Sequence, residues 1–144
     1  MLEIRRSRHG DAGHLVRLAL SLGYTIEVPT ARAAVERSEH SDAAVFVATA
    51  GGLIVGWAHV YRIDLVQTTP FAEIGGLVVD PDRRGAGIGR RLVEAAEQWA
   101  ADHGLTTMRV RSNVVRSGAH RFYERNGYTV EKTSLAFVKS IRSR

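Results

Sequence analysis

Two rhythms of apolar residues alternate along the chain. "LEIRR" reads as a short first strand, after which Asp11 is placed to cap a helix whose apolar residues Leu15, Leu18, Ala19 and Leu22 recur three or four apart. A weaker helical stretch covers Ala31 to Ser38. The texture then changes. "AAVFVAT" and "LIVGWAHVYRI" are β-branched and aromatic runs joined by Ala50-Gly51-Gly52, which predicts a hairpin. "FAEIGGLVVD" predicts a further strand, bulged or splayed at Gly75-Gly76 and ended by Pro81. From Gly87 the helical period returns in Ile88, Leu92, Ala95 and Trp99, while Arg91, Glu94, Gln98 and Asp102 face elsewhere; Gly104 closes that helix. "TTMRVR" predicts a strand, then comes a short helix through Ala119, Phe122 and Tyr123 ending at Gly127, and a last strand is expected near "SLAFVK".

Strands flanking single helices imply a mixed sheet with helices on both faces, an α/β (α+β) fold. No repeat, low-complexity tract or linker interrupts the 144 residues, so 1–144 is expected to form a single domain. With 44% hydrophobic and 24% charged residues the composition is that of a globular chain. The absence of cysteine excludes disulfides, thiolate metal sites and a cysteine nucleophile. The N-terminus lacks an apolar stretch of signal-peptide length, and no run approaches the roughly 20 apolar residues of a membrane span. A cytoplasmic location without membrane association is the expectation.

Charge adds a direction. The formal net charge is +5 and only Lys132 and Lys139 are lysines, so arginine carries the excess. Such a balance favours phosphate-bearing partners, whether nucleic acid or a phosphorylated cofactor. The densest feature is "DRRGAGIGRRL", residues 82 to 92, with glycines at 85, 87 and 89 among four arginines. It lies between a strand and a helix. Glycines there let the backbone approach a ligand, and the first N–H groups of the helix point outward unpaired, so an anion gains hydrogen bonds and the helix dipole. The dinucleotide fingerprint and the Walker loop both fail to match. Glycines that only turn the chain ahead of a solvated arginine face remain the alternative.

Arg84-Gly85-Ala86-Gly87-Ile88-Gly89 resembles the R/Q-x-x-G-x-G/A signature of the GNAT superfamily of N-acetyltransferases, and it sits between strand and helix where that family carries it. "FAEIGGLVVDP" is similar to the family's fourth strand, and "AHRFYERNGY" to its late helix and following strand. The resemblance covers essentially the whole chain. It implies a single-domain GNAT fold: a mixed, mostly antiparallel sheet of six to seven strands, splayed between strands 4 and 5. It implies acetyl-CoA as co-substrate, with Leu77, Val78 and Val79 facing the pantetheine and Arg84, Gly85, Ala86, Gly87, Ile88, Gly89 and Arg90 facing the pyrophosphate. Where many members place an asparagine ahead of the late helix this chain has Arg116, and its nearest asparagine is Asn113; both are candidate cofactor contacts. For Arg116, an acidic acceptor group and plain solvent are the other readings.

Acetyl transfer to an amine needs a base, a polarised carbonyl and a proton for the leaving thiolate. Glu73, on the strand leading to the turn, is the candidate base, with His59 and His120 as competitors. By resemblance Tyr123 is the candidate acid, and a backbone N–H at Leu77 or Val78 the oxyanion donor. No metal is expected, since the six histidines form no HExxH and no tight pair with carboxylates. The expected function is transfer of an acetyl group from acetyl-CoA to a primary amine, a small molecule, in a ternary complex. The closing pattern is similar to the branch holding aminoalkylphosphonate and other small-amine acetyltransferases. A homodimer is compatible with such a fold, and no nucleic-acid partner is expected. The competing readings are an acyl-CoA-binding sensor without catalysis and a basic nucleic-acid-binding module. The latter leaves the glycine placement unexplained, and Trp57, Tyr61 and Trp99 fall on core-like periodicities rather than on a stacking platform.

Overall fold

The computed structural model describes residues 1–40, 42–111 and 117–142. The chain divides into two compact units, Met1–Arg111 and Ser112–Arg144.

The first unit holds a sheet in the order β1-β2-β3-β4-β5, formed by Leu2–Arg6, Ala43–Ala50, Leu53–Ile63, Phe71–Val79 and Met108–Val110. The first four strands are antiparallel neighbours, and β4 pairs with β5 in parallel. The helices are α1 (Ala12–Ser21), α2 (Val28–Ser38) and α3 (Ile88–Asp102). The expected hairpin is in place, Gly51 and Gly52 at φ 58° and 83° supplying its two-residue turn. Asp11 stands at the N-cap of α1 but does not cap it. Its carboxylate turns back to accept from the Arg8 backbone N–H (2.7 Å) and to pair with Arg5 (2.9 Å).

Alternation along the strands sorts the core into two layers. Val45, Val47 and Ile54 face Leu15 and Leu18 of α1 and Val35 of α2, while Ala48, Val55 and Ala58 face Ile88 and Leu92 of α3. Leu18 and Leu92 are almost fully buried, so each layer is anchored by a leucine on its covering helix. Space on the α3 side is tight: a β-carbon on Gly56 would lie 3.0 Å from Ile88 Cγ2 and 3.1 Å from the Val78 carbonyl oxygen. That close approach seats the N-terminus of α3 against the sheet.

The splay expected between β4 and β5 involves residues 112–116, which lie outside the described residues; up to Val110 the two strands pair in parallel. The β3–β4 register shifts between His59 and Val60, where Gly75 is the extra residue of a bulge. Parallel pairing with β5 covers only Ala72, Ile74 and the residue between them, and ends before that bulge. Beyond it β4 continues to Val79 along β3 alone, leaving its other edge open among the described residues.

The second unit contains α4 (Ser117–Arg125). It ends where the glycine pattern predicts: Gly127 has φ 92°, its N–H donates to the Glu124 carbonyl, and the Tyr128 N–H donates to the Tyr123 carbonyl. The last strand expected near "SLAFVK" is not formed, so the sheet has five strands among the described residues rather than six or seven. Residues 131–142 are exposed, Phe137 at 91% and Val138 at 98%, and an alternating pattern becomes a strand only where a neighbour supplies hydrogen bonds and a face to pack on.

Candidate active site

The turn after β4 is built from local signals. Asp80 accepts from the Asp82 backbone N–H (3.0 Å), Pro81 opens a single 3₁₀ turn to Arg83, and Arg84 is extended. Gly85 and Gly87 then take φ of 82° and 78°, a region that favours glycine, and Gly87 serves as N-cap of α3. A β-carbon at either glycine would meet nothing within 4 Å. Both therefore shape the chain rather than clear a neighbour. Ile88 is buried at the start of the helix, so the helix is fixed while the turn ahead of it is exposed. Its first N–H groups lie beyond reach of intrahelical carbonyls and face that turn.

The arginines divide by role. Arg84 is exposed at the turn, and with Arg83 and Ile88 it lines a cavity of about 400 Å³ that reaches Leu2 of β1. Arg90 pairs with Glu94 one helical turn on (3.1 Å), both side chains exposed. Arg91, unassigned by the sequence, donates to the Leu2 carbonyl (2.8 Å) and ties α3 to β1.

Leu77, Val78 and Val79 lie on the part of β4 beyond the bulge. Leu77 and Val79 pack toward α3, and Val78 toward α1 and α2. Their backbone has no partner strand on the β5 side among the described residues. The open edge runs directly into the glycine turn. An extended chain can lie along such an edge, and an anion at its end would meet Arg84 and the head of α3.

Glu73 sits just before the bulge, opposite Tyr61 of β3. Its side chain is 13% exposed. The Tyr61 phenol donates to Glu73 Oε2 (3.0 Å), and the Arg111 guanidinium approaches Oε1 (3.5 Å). Burial, and then the bond and charge of Glu73, push the Tyr61 phenol up to about 12, so it remains a donor. His59, the competing base, lies edge-on to Tyr61 with centroids 5.1 Å apart. Burial and the charge of Arg37 hold its imidazole below the ordinary 6.5, which makes it neutral at physiological pH. Tyr61 and Arg111 were not among the candidates read from the sequence. The signal available was the register of β3 with β4, which counted from Ile63 opposite Phe71 sets Tyr61 across from Glu73 before the bulge is reached.

Tyr123 belongs to the second unit. Its ring makes edge contacts with Phe122 (5.1 Å) and Tyr128 (5.8 Å), and burial pushes its phenol above the ordinary 10.0. Asn113 and Arg116 lie outside the described residues. Among the described residues no cluster of three or more His, Asp or Glu could hold a metal, and no helix is long and apolar enough to cross a membrane.

Among the described residues, a strand with one open edge thus leads through a glycine turn into a helix N-terminus, an arrangement that can receive an anion. The family is shown by comparison. The acetyltransferase (GNAT) family model matches residues 14–128, and the chain belongs to that family. It is 33% identical over 96 residues to an aminoalkylphosphonate N-acetyltransferase of Salmonella typhimurium, a match covering 66% of this chain and 61% of that one. It is 29% identical over 129 residues to an aminoglycoside N(6')-acetyltransferase type 1 of Stenotrophomonas maltophilia, covering 87% and 84% respectively. In fold it is similar to AAC(6')-Iy in complex with a CoA bisubstrate analogue, with TM-score 0.86 at 20% identity over 98% of this chain and 99% of that one.

Proposed function

We propose that the protein transfers an acetyl group from acetyl-CoA to a primary amine on a small molecule, within a ternary complex. The observation that carries this reading is the open edge of β4 running into the turn at Gly85 and Gly87, at the head of α3. Relatives named for aminoalkylphosphonate and aminoglycoside acetylation support a small-molecule acceptor. When bound, acetyl-CoA supplies an acetyl group activated as a thioester. The chain's own residues do the rest. Turn amides from Gly85 to Gly89 and the Arg84 side chain hold the pyrophosphate, and the backbone of Leu77 to Val79 aligns the pantetheine along β4. Asn113 and Arg116 are further candidate contacts on this reading.

Glu73 takes a proton from the acceptor's ammonium at a carboxylate oxygen, leaving the nitrogen lone pair free to attack. A C–N bond forms and the C–S bond breaks. On this reading the N–H of Leu77 or Val78 stabilises the developing oxyanion, and Tyr123 Oη gives its proton to the leaving sulfur. The nitrogen's second proton passes through solvent to restore the Tyr123 phenol. Residues 1–144 act as one acetyltransferase domain on this reading, since the family match runs through both units. A cytoplasmic homodimer belongs to the same reading; Leu135, Phe137, Val138 and Ile141 are exposed apolar residues that a second copy would cover. Light scattering should then give twice the 15.8 kDa of the chain.

The test is direct. Acetyl-CoA should raise the melting temperature, and one or more amines from a panel of aminoalkylphosphonates and aminoglycosides should release free coenzyme A. The chain has no cysteine, so a thiol reagent reads the product without background from the protein. No stabilisation at millimolar acetyl-CoA would overturn the reading. Stabilisation without turnover on any amine would make the protein an acyl-CoA sensor. Tyr123→Phe should lower kcat by about 10²-fold with acetyl-CoA affinity unchanged; equal losses in both would make the tyrosine structural.

A further inference from the structure

The geometry points to Tyr61 as a positioning residue for Glu73: its phenol ties up Oε2 and leaves Oε1 for the acceptor's amine, with Arg111 as the cation that the amine displaces. This rests on the reading of Glu73 as the base.

The two partners of Glu73 differ in kind. Tyr61 comes from a strand directly paired with β4, its ring is packed edge-on against His59, and its bond to Oε2 is 3.0 Å. The sequence makes room for that ring by leaving Gly75 bare, because a β-carbon there would overlap the Tyr61 phenol. Arg111 follows β5, its side chain is 74% exposed, and it stands 3.5 Å from Oε1. At 3.5 Å the contact is longer than an ordinary N–H···O bond and the exposed guanidinium keeps its access to water, so it is the weaker of the two. An arriving ammonium therefore competes with Arg111 and not with Tyr61. One oxygen keeps its orientation while the other changes partner, which holds a base still during proton transfer.

The groups around Glu73 come from several elements. β3 contributes Tyr61 and His59, and β5 contributes Arg109, which pairs across from Glu73 and stacks over the Phe71 ring at 4.1 Å. Arg111 lies beyond β5, and the charge of Arg37 on α2 reaches His59. The Tyr61 phenol donates to the carboxylate at ordinary hydrogen-bond length, so removing its hydroxyl frees Oε2 to turn.

Tyr61→Phe keeps the ring and removes the hydroxyl. With an amine found to be acetylated, kcat in Tyr61→Phe should fall about tenfold while acetyl-CoA affinity and the KM for the amine stay near wild type. Arg111→Gln should cost less in kcat than Tyr61→Phe does and act mainly on the KM for the amine, since it alters only the contact that the amine replaces. If Glu73→Gln loses turnover but Tyr61→Phe keeps wild-type kcat, or loses no more than Arg111→Gln, the base stands and the positioning role is overturned. If Glu73→Gln keeps wild-type kcat/KM, the base assignment falls and the positioning role falls with it.

Discussion

At Gly85 and Gly87 the backbone enters the left-handed region, and a β-carbon added at either would meet nothing within 4 Å. At Gly75 and Gly76 the backbone stays out of that region. There an added β-carbon would overlap the Tyr61 phenol at the first and come within 2.8 Å of the Trp57 ring at the second. The turn needs glycine for its conformation, and the bulge needs it for space. The two sites also serve different tasks on the proposed reading: the turn shapes a phosphate grip, and the bulge lets Tyr61 reach Glu73. A glycine pair in sequence thus has two separable meanings, decided by φ and by the nearest neighbour.

Substitution can break that separation or sharpen it. The largest effect is expected from Gly75→Ala. It forces Tyr61 aside, should cost about 1–3 kcal/mol as overpacking, and should lower kcat at least tenfold while acetyl-CoA affinity hardly moves. Loss of cofactor affinity instead, measured by calorimetry, would mean that bulge and turn are one unit. Next comes Gly87→Ala, where an L-residue in the left-handed region costs about 1–2 kcal/mol. Its signature should be acetyl-CoA affinity weakened about tenfold, with kcat at saturating acetyl-CoA nearly unchanged. Gly104→Ala carries a similar φ penalty beyond the C-terminal end of α3, the end far from the turn, at φ 74°. It should lower the melting temperature and leave affinity and turnover alone; if it weakens acetyl-CoA as Gly87→Ala does, the effect at the turn is only global stability.

The smallest effect is expected from acid. Burial alone would raise the Asp11 pKa, but hydrogen bonds from Arg5 and the Arg8 N–H, with the charges of both arginines, outweigh it, and the net shift is below the ordinary 3.8. A depressed folded value gives stability that is present above pH 3.8 and lost as pH falls through that lower value. Chemical denaturation of wild type should show this decline below pH 4, and Asp11→Asn should flatten it.

Much of the fold was legible because its signals are local. The helical spacing of Ile88, Leu92 and Trp99, the Gly51-Gly52 hairpin and the left-handed glycines at 87, 104 and 127 each report on a few neighbouring residues, and each lies where the pattern predicts. "SLAFVK" misled because alternation shows that a segment is able to be a strand, whereas forming one requires an edge to pair with. The candidate site was legible in part. Glu73 and the turn could be read along the chain; Tyr61 looked like any core aromatic.

By itself the sequence determined the glycine turn, the helix that follows it and the layering of apolar residues on two faces, because backbone preference and periodicity are properties of short stretches. Tertiary structure decided which side chains meet. The β3–β4 register places Tyr61 beside Glu73, the bare Gly75 of the bulge leaves room for its ring, and β4 runs on past its pairing with β5, leaving among the described residues the edge on which the proposed chemistry depends. Register is a relation between strands, settled only when both are packed against the helices that cover them.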